Sequence, residues 1–236
     1  MSTSHHTRQR IAFLTMTVPP DSDLPNGSWY MHDDLLVPVL QRRGWEVDPH
    51  VSWRAYRHAD WTQYHAVIAR STWDYQDNLQ EFFTALEHIV TTAPNLTIFN
   101  SLEVMKWNAS KMYLRQLAVE GQCPIIPSAF WGSRASRDGF CSFGSALYKS
   151  RDQRILAQLE EVVIKPVVSA SSFDTFRLQR SEIMPVVFEL RKASTPFSVP
   201  VQDPHVFPSR LEFLAAVFAN RGCIVQPLVE SIGEQR

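Results

Sequence analysis

"HAVIARSTWDYQDNLQEFF", residues 65–83, runs from an apolar stretch through a polar and aromatic knot into a second periodic stretch. Tyr64 to Ala69 reads as a strand: short, apolar and rich in β-compatible residues. Asn78 reads as a helix N-cap with Glu81 three residues on, and Leu79, Phe82, Phe83, Leu86 and Val90 keep helical spacing. A strand joined to a helix by eight residues is half of a β-α-β unit. The joint itself is unusual. Arg70, Ser71, Thr72, Trp73 and Asp74 put a guanidinium, two hydroxyls, an indole and a carboxylate into five positions. A turn needs only Gly, Asn or Pro, so this set suits either a ligand or a rigid corner.

Reading outward, Arg10 to Thr15 is a buried first strand, followed by a Pro-, Asp- and Gly-rich loop over Pro19 to Ser28. Asp33 to Arg43 reads as a helix that Gly44 stops and Pro38 kinks or delays. Trp45 to Val47 is a second strand and Leu96 to Phe99 a fourth. Strands alternating with helices predict a parallel α/β sheet with right-handed crossovers. Ligands in such sheets lie beyond the carboxyl ends of the strands, where Arg70 to Asp74 and Asn100-Ser101 fall.

The second half has a different texture. Ser101 to Glu120 reads as helix, restarted at Asn108 and stopped at Gly121. Cys123 to Ser128 is extended, and residues 131–150 read as a loose loop. Glu161 to Pro166 and Thr175 to Leu178 form a hairpin around the small-residue loop Ser169 to Asp174. Phe188 to Pro208 is Pro- and Ser-rich and gives no assignment. Arg210 to Ala219 is helical, and Cys223 to Val229 is a last strand.

Composition narrows the function classes. The 236 residues are 44% apolar and 20% charged, with a net charge of −1, enough apolar content for packed cores. No basic stripe exists for a nucleic-acid backbone, so no nucleic acid is expected. The three cysteines, Cys123, Cys141 and Cys223, are dispersed and form no C-x-x-C pair, which points to a reducing, cytoplasmic setting. No apolar run suits a membrane span or a signal peptide, so no membrane partner is expected. The eight histidines lack metal spacing, and H-E-x-x-H, G-x-S-x-G and the P-loop pattern are absent.

Four places carry candidate chemistry, each with a plainer reading. Lys165 interrupts an apolar strand before Pro166 and could meet a phosphate, or simply guard a strand edge. The loop Ser169-Ala-Ser-Ser-Phe-Asp-Thr175 could bring N–H groups and hydroxyls to an anion, or be a solvated turn. Lys111, following Asn108-Ala-Ser, could reach a ligand or lie on the surface of a capped helix. Gln226 to Glu234 could offer backbone groups to a base and a carboxylate to a sugar, or be a buried strand with a polar tail.

In order along the chain these pieces resemble the ATP-grasp enzymes, in particular the branch that looks like glutathione synthetase and the cycloserine-forming ligase. The motifs are Gly44-Trp-Glu-Val47, Arg70-Ser-Thr-Trp-Asp-Tyr75, Asn100, Trp107-Asn-Ala-Ser-Lys111, Val163-Ile-Lys-Pro166, Ser169 to Arg177, and Gln226-Pro-Leu-Val-Glu230 with Gly233-Glu234. The resemblance implies a disordered tail over 1–10, a Rossmann-like pre-ATP-grasp domain over 11–103, and a partial ATP-grasp domain of α+β type over 104–236. It implies ATP and Mg²⁺ as cofactors. Lys111 and Lys165 would reach the phosphates, and Lys165 would share catalysis with Arg70. Ser169, Ser171, Ser172 and Thr175 would close over the triphosphate, Gln226 and Leu228 would hold the adenine, and Glu234 the ribose. Arg70, Ser71 and Asp74 would line the side that takes a small-molecule acceptor. The reaction implied is carboxylate–amine ligation through an acyl phosphate, on a small amino-acid-like substrate. A homo-oligomer is compatible with this family.

The resemblance also carries a departure. Such enzymes continue past the glutamate that matches Glu234, and the continuation holds the Mg²⁺ ligands, so no metal ligand is assigned here. The expectation is a C-terminally truncated chain, whose last strand opens a sheet with its partners missing. A fragment, a short form needing a partner chain and a decayed relative are all open. The alternative functions are a nucleotide-binding pseudoenzyme or regulatory module without turnover, and an interaction module that binds no nucleotide.

Overall fold

The computed structural model describes residues 9–17, 31–131, 158–170, 172–179, 181–182, 209–219 and 221–229. The chain forms two compact units, Met1–Trp107 and Asn108–Arg236.

In the first unit, β1 (Arg10–Thr15), β2 (Glu46–Ser52), β3 (Ala66–Ala69) and β4 (Thr97–Phe99) form a parallel sheet in the order β2-β1-β3-β4. The connections are α1 (Met31–Asp34) and α2 (Val37–Arg42) before β2, and α3 (Leu79–Thr92) before β4. Side chains alternate across a strand, so β1 serves two cores. Ile11 and Phe13 pack with Val47, Ala66, Val37 and Leu40, while Ala12 and Leu14 join Phe82, Ala85, Leu86 and Ile89 of α3. This is the α/β layer that the sequence predicts.

The expected helix over 33–43 is broken in two. Pro38 sits in the first turn of α2, where its missing N–H leaves no intrahelical bond unmade. Gly44 ends α2 at φ +91°, a conformation open chiefly to glycine, and its N–H reaches the Gln41 carbonyl at 3.0 Å. β2 runs on to Ser52, beyond the expected Val47, and tolerates Pro49 because it lies at the sheet edge. Asn78 caps α3: its Oδ1 accepts from the Glu81 N–H at 3.0 Å, and its Nδ2 donates to Glu81 Oε2 at 3.2 Å.

α4 (Leu102–Asn108) leads to the second unit, and α5 (Tyr113–Val119) begins after a break over residues 109–112. There β5 (Ala129–Trp131), β6 (Glu161–Pro166), β7 (Phe176–Gln179) and β8 (Cys223–Pro227) pair antiparallel in the order β5-β8-β6-β7. α6 (Arg210–Ala219) covers one face: Leu214, Val217 and Phe218 pack with Val162, Ile164, Leu178 and Val225. The last strand is not left without partners, as the sequence suggested. β8 is flanked by β5 and β6, because the short β5, between the extended piece ending at Ser128 and the expected loop from 131, supplies its second neighbour. No helix among the described residues is long and apolar enough to cross a membrane.

Candidate functional site

Residues directly opposed in an antiparallel pair point to the same face. Lys165 opposes Ile224, and Val163 opposes both Gln226 and Arg177. Val162 and Ile164 point the other way, into the core under α6. Lys165 and Gln226 therefore share the sheet face that α6 does not occupy. Gln226 is buried and donates from Nε2 to Ser128 Oγ at 2.8 Å. Leu228 follows the end of β8 and is half-buried.

At the end of β6 the second lysine arrives. The turn before α5 docks through the Lys111 N–H, which donates to the Val167 carbonyl at 2.7 Å. Lys111 Nζ donates to the Ser169 carbonyl at 3.0 Å and to Ser169 Oγ at 2.8 Å. Neither Lys111 nor Lys165 has a carboxylate partner among the described residues. Burial, then the charges of Lys165 and Arg221, bring Lys111 down from the ordinary lysine value to about 8. Burial also lowers Lys165. Two half-buried ammonium groups with no carboxylate partner among the described residues make a place where an anion is favoured.

Arg221 was not singled out in the sequence, where it is one basic residue in a helix-to-strand turn. Its Nη2 donates to the Val168 carbonyl at 3.2 Å, and its Nη1 pairs with Asp174 of the β6–β7 loop. That loop places Ser172 and Asp174 at φ +60° and +53°, and the Thr175 N–H returns to the Ser172 carbonyl at 3.2 Å. Ser172, Asp174, Thr175, Phe176, Arg210 and Phe213 line a pocket that the two lysines do not reach. Ser171 and Glu234 lie outside the described residues. Among the described residues, no group of three His, Cys, Asp or Glu side chains gathers in a way that could hold a metal ion.

The other predicted residues stand in the first unit. The strand order reverses direction between β1 and β3, and the chain leaves both strands there. The Arg70 N–H donates to the Leu14 carbonyl at 3.0 Å, and the Met16 N–H to the Ser71 carbonyl at 2.7 Å. Asp33 of α1, 1% exposed, accepts from Arg70 Nε at 2.8 Å and from Ser71 Oγ at 2.6 Å. Among the described residues the two Nη groups of Arg70 have no partner. Asp33 was read from the sequence only as a helix start; its link to Arg70 spans 37 residues and left no local mark.

Asp74 is not with them. Its Oδ1 accepts from Trp53 Nε1 at 2.6 Å and its Oδ2 from Arg54 Nε at 2.9 Å. Arg54 also lies over the Trp53 ring at 4.2 Å and reaches Glu81 Oε2 at 3.2 Å. Tyr75 packs on Phe82, with ring centroids 5.6 Å apart. Of the two readings the sequence left open, the rigid corner is seen directly: Asp74 and Tyr75 brace it, and the buried Ser71 hydroxyl is held by Asp33.

Residues 11–97 match the family model of the D-cycloserine synthetase DcsG N-terminal domain. The cycloserine biosynthesis protein DcsG of Streptomyces lavendulae is 26% identical over 147 residues, covering 62% of this chain and 45% of that protein. The crystal structure of D-cycloserine synthetase DcsG superposes with a TM-score of 0.64 at 23% identity, over 94% of this chain and 60% of that one. A RimK domain ATP-grasp protein from Sphaerobacter thermophilus gives 0.51 at 13%, over 93% and 64%. D-alanyl-alanine synthetase A from Vibrio cholerae gives 0.51 at 11%, over 94% and 60%. The chain spans under half the length of the curated relative and under two thirds of these solved structures. The fold expected from the ordered motifs is the fold these structures share.

Proposed function

We propose that this ATP-grasp-related chain binds ATP through Lys111 and Lys165 and serves an ATP-dependent carboxylate–amine ligase acting on a small amino-acid-like substrate. The observation that carries the reading is the pair of half-buried lysines at the end of β6, with no carboxylate beside either among the described residues. Unpaired buried charge is costly, so the arrangement is explained by an anion that arrives from outside. A polyphosphate is an anion that two neighbouring cations can share, and Ser169, already bonded to Lys111, is the hydroxyl beside them; Ser172 and Thr175 are assigned to it by their place in the β6–β7 loop.

Gln226 and Leu228 are assigned to the adenine, on the same sheet as Lys165, and Glu234 to the ribose by its motif. Arg70 is assigned to a carboxylate of the acceptor, because its Nη edge is a planar fork that matches two oxygens. Ser71 lies beside it, and Asp74 supports it through the corner it fixes. ATP, with Mg²⁺, would supply the phosphoryl group that activates a carboxylate as an acyl phosphate; an amine then forms the new bond and phosphate leaves. The lysines neutralise charge and position the phosphates, so no side-chain nucleophile is required.

Calorimetric titration of the full chain with ATP and Mg²⁺, beside Lys165→Ala, tests this. Binding that the substitution abolishes supports the site. A folded wild-type chain that takes no ATP removes the reading. ADP release in a screen of amino-acid-like acceptors then separates a working ligase from a chain that only binds.

A further inference from the structure

Three cations converge on one short stretch. Lys165 stands on β6, Arg221 holds the Val168 carbonyl, and Lys111 holds the carbonyl of the next residue, Ser169. One carboxylate among the described residues answers them. Asp174 binds Arg221, and both side chains are largely shielded from solvent, at 29% and 14% exposure. The Arg221 charge is felt at Lys111, so Arg221 belongs to the same electrostatic site. Arg221 has five N–H donors, and among the described residues Nε has no partner.

We propose that Arg221 is a third phosphate-binding cation and that Asp174 is an internal anion which occupies it until the polyphosphate arrives. The inference rests on the ATP reading above and adds a regulatory contact to it. A carboxylate beside Arg221 neutralises part of the surplus positive charge while no ligand is present. The same carboxylate repels an incoming triphosphate. Nucleotide binding then has to weaken the Arg221–Asp174 pair. A plain structural ion pair would instead favour the bound and free states equally.

The test is a double-mutant cycle on the full chain, with ATP and Mg²⁺ as the probe and calorimetry as the readout. Asp174→Asn keeps the shape and tolerates the φ of +53°, since asparagine is enriched in that region. It is expected to tighten ATP about fivefold, the scale of a partly exposed charge pair. Arg221→Gln is expected to weaken ATP about tenfold, the scale of a lost charge-assisted hydrogen bond. In the Arg221→Gln background, Asp174→Asn should tighten ATP far less, because only the general repulsion is relieved once the cation it guards is gone. Arg221→Lys, which keeps the charge but loses the fork, should restore part of the Asp174 effect and covers the case in which Arg221→Gln does not fold. Tightening of equal size with and without Arg221 would mean only a general field effect and would overturn the proposal. Unchanged or weaker affinity in Asp174→Asn would overturn it too, while leaving ATP binding by the lysines intact. No ATP binding by the folded wild type would instead remove the ATP reading, and this inference with it.

Discussion

Lys111 shows how a single residue can be placed against its own stability. Burial and the neighbouring charges of Lys165 and Arg221 hold it at about 8, below the ordinary lysine value of 10.5. Its folded value is depressed, so the unfolded chain binds the extra proton between about pH 8 and 10.5, and this group makes stability rise with pH across that window. Two outcomes are expected. Lys111→Met should leave Tm unchanged or raise it at pH 7 while ATP affinity is weakened but still measurable, the mark of a residue kept for binding. In the wild type, ATP affinity should fall as pH rises above about 8, approaching tenfold per unit, and Lys111→Met should abolish that dependence. Thermal scans and titrations from pH 7 to 9.5 measure both; a flat affinity profile in the wild type would take Lys111 away from the phosphates. Arg70 offers a parallel case. Asp33→Asn keeps an oxygen to accept from Arg70 Nε but puts an NH2 donor where Oδ2 accepts from Ser71 Oγ, and it leaves the guanidinium less firmly held, so acceptor KM should rise in a variant that thermal scans show to be folded.

At the scale of elements, α3 is the best-specified piece. Its cap, its acidic first turn and its apolar stripe all agree, and Phe82, Ala85, Leu86 and Ile89 are buried as the spacing requires. Asn78→Ala should cost about 1 kcal/mol by urea denaturation, since it strips the Glu81 N–H of its acceptor. A cost near zero would show that the Arg54–Glu81 contact, not the cap, fixes this end. The strands β1, β6 and β8 and the helix α6 were legible for the same reason as α3: each carries its pattern locally. β5 was not, because three residues have no period of their own and become a strand only by pairing with β8, far along the chain. The corner at 70–75 was half legible. Its residue types announced a special role, but Asp33 and Arg54, which decide which side chain does what, reach their partners across 37 and 20 positions in sequence. Lys111 and Ser169 were each visible in a motif, and their contact across 58 residues was visible only in the fold.

For the whole molecule the consequence is thermodynamic. Each unit has its own core: Trp53, Trp61, Leu86 and Ile89 in the first, Val162, Leu178, Phe218 and Ile224 buried in the second. Units with separate cores can unfold in separate steps, so two transitions are expected in a calorimetric scan. Leu86→Ala should lower one of them, with a cost of about 3 kcal/mol for a fully buried leucine. ATP should raise the other. A ligand that binds only the folded form adds about 2.7 kcal/mol at one hundred times its Kd, and both proposed phosphate lysines lie in Asn108–Arg236. Lys165→Ala should remove the ATP-induced rise and leave the Leu86-sensitive transition where it was. If ATP raised both transitions equally, the two units would not unfold independently, and the two-step expectation would fall. If only the Leu86-sensitive transition moved, the ligand would sit on the parallel sheet, and the phosphate role of Lys111 and Lys165 would fall.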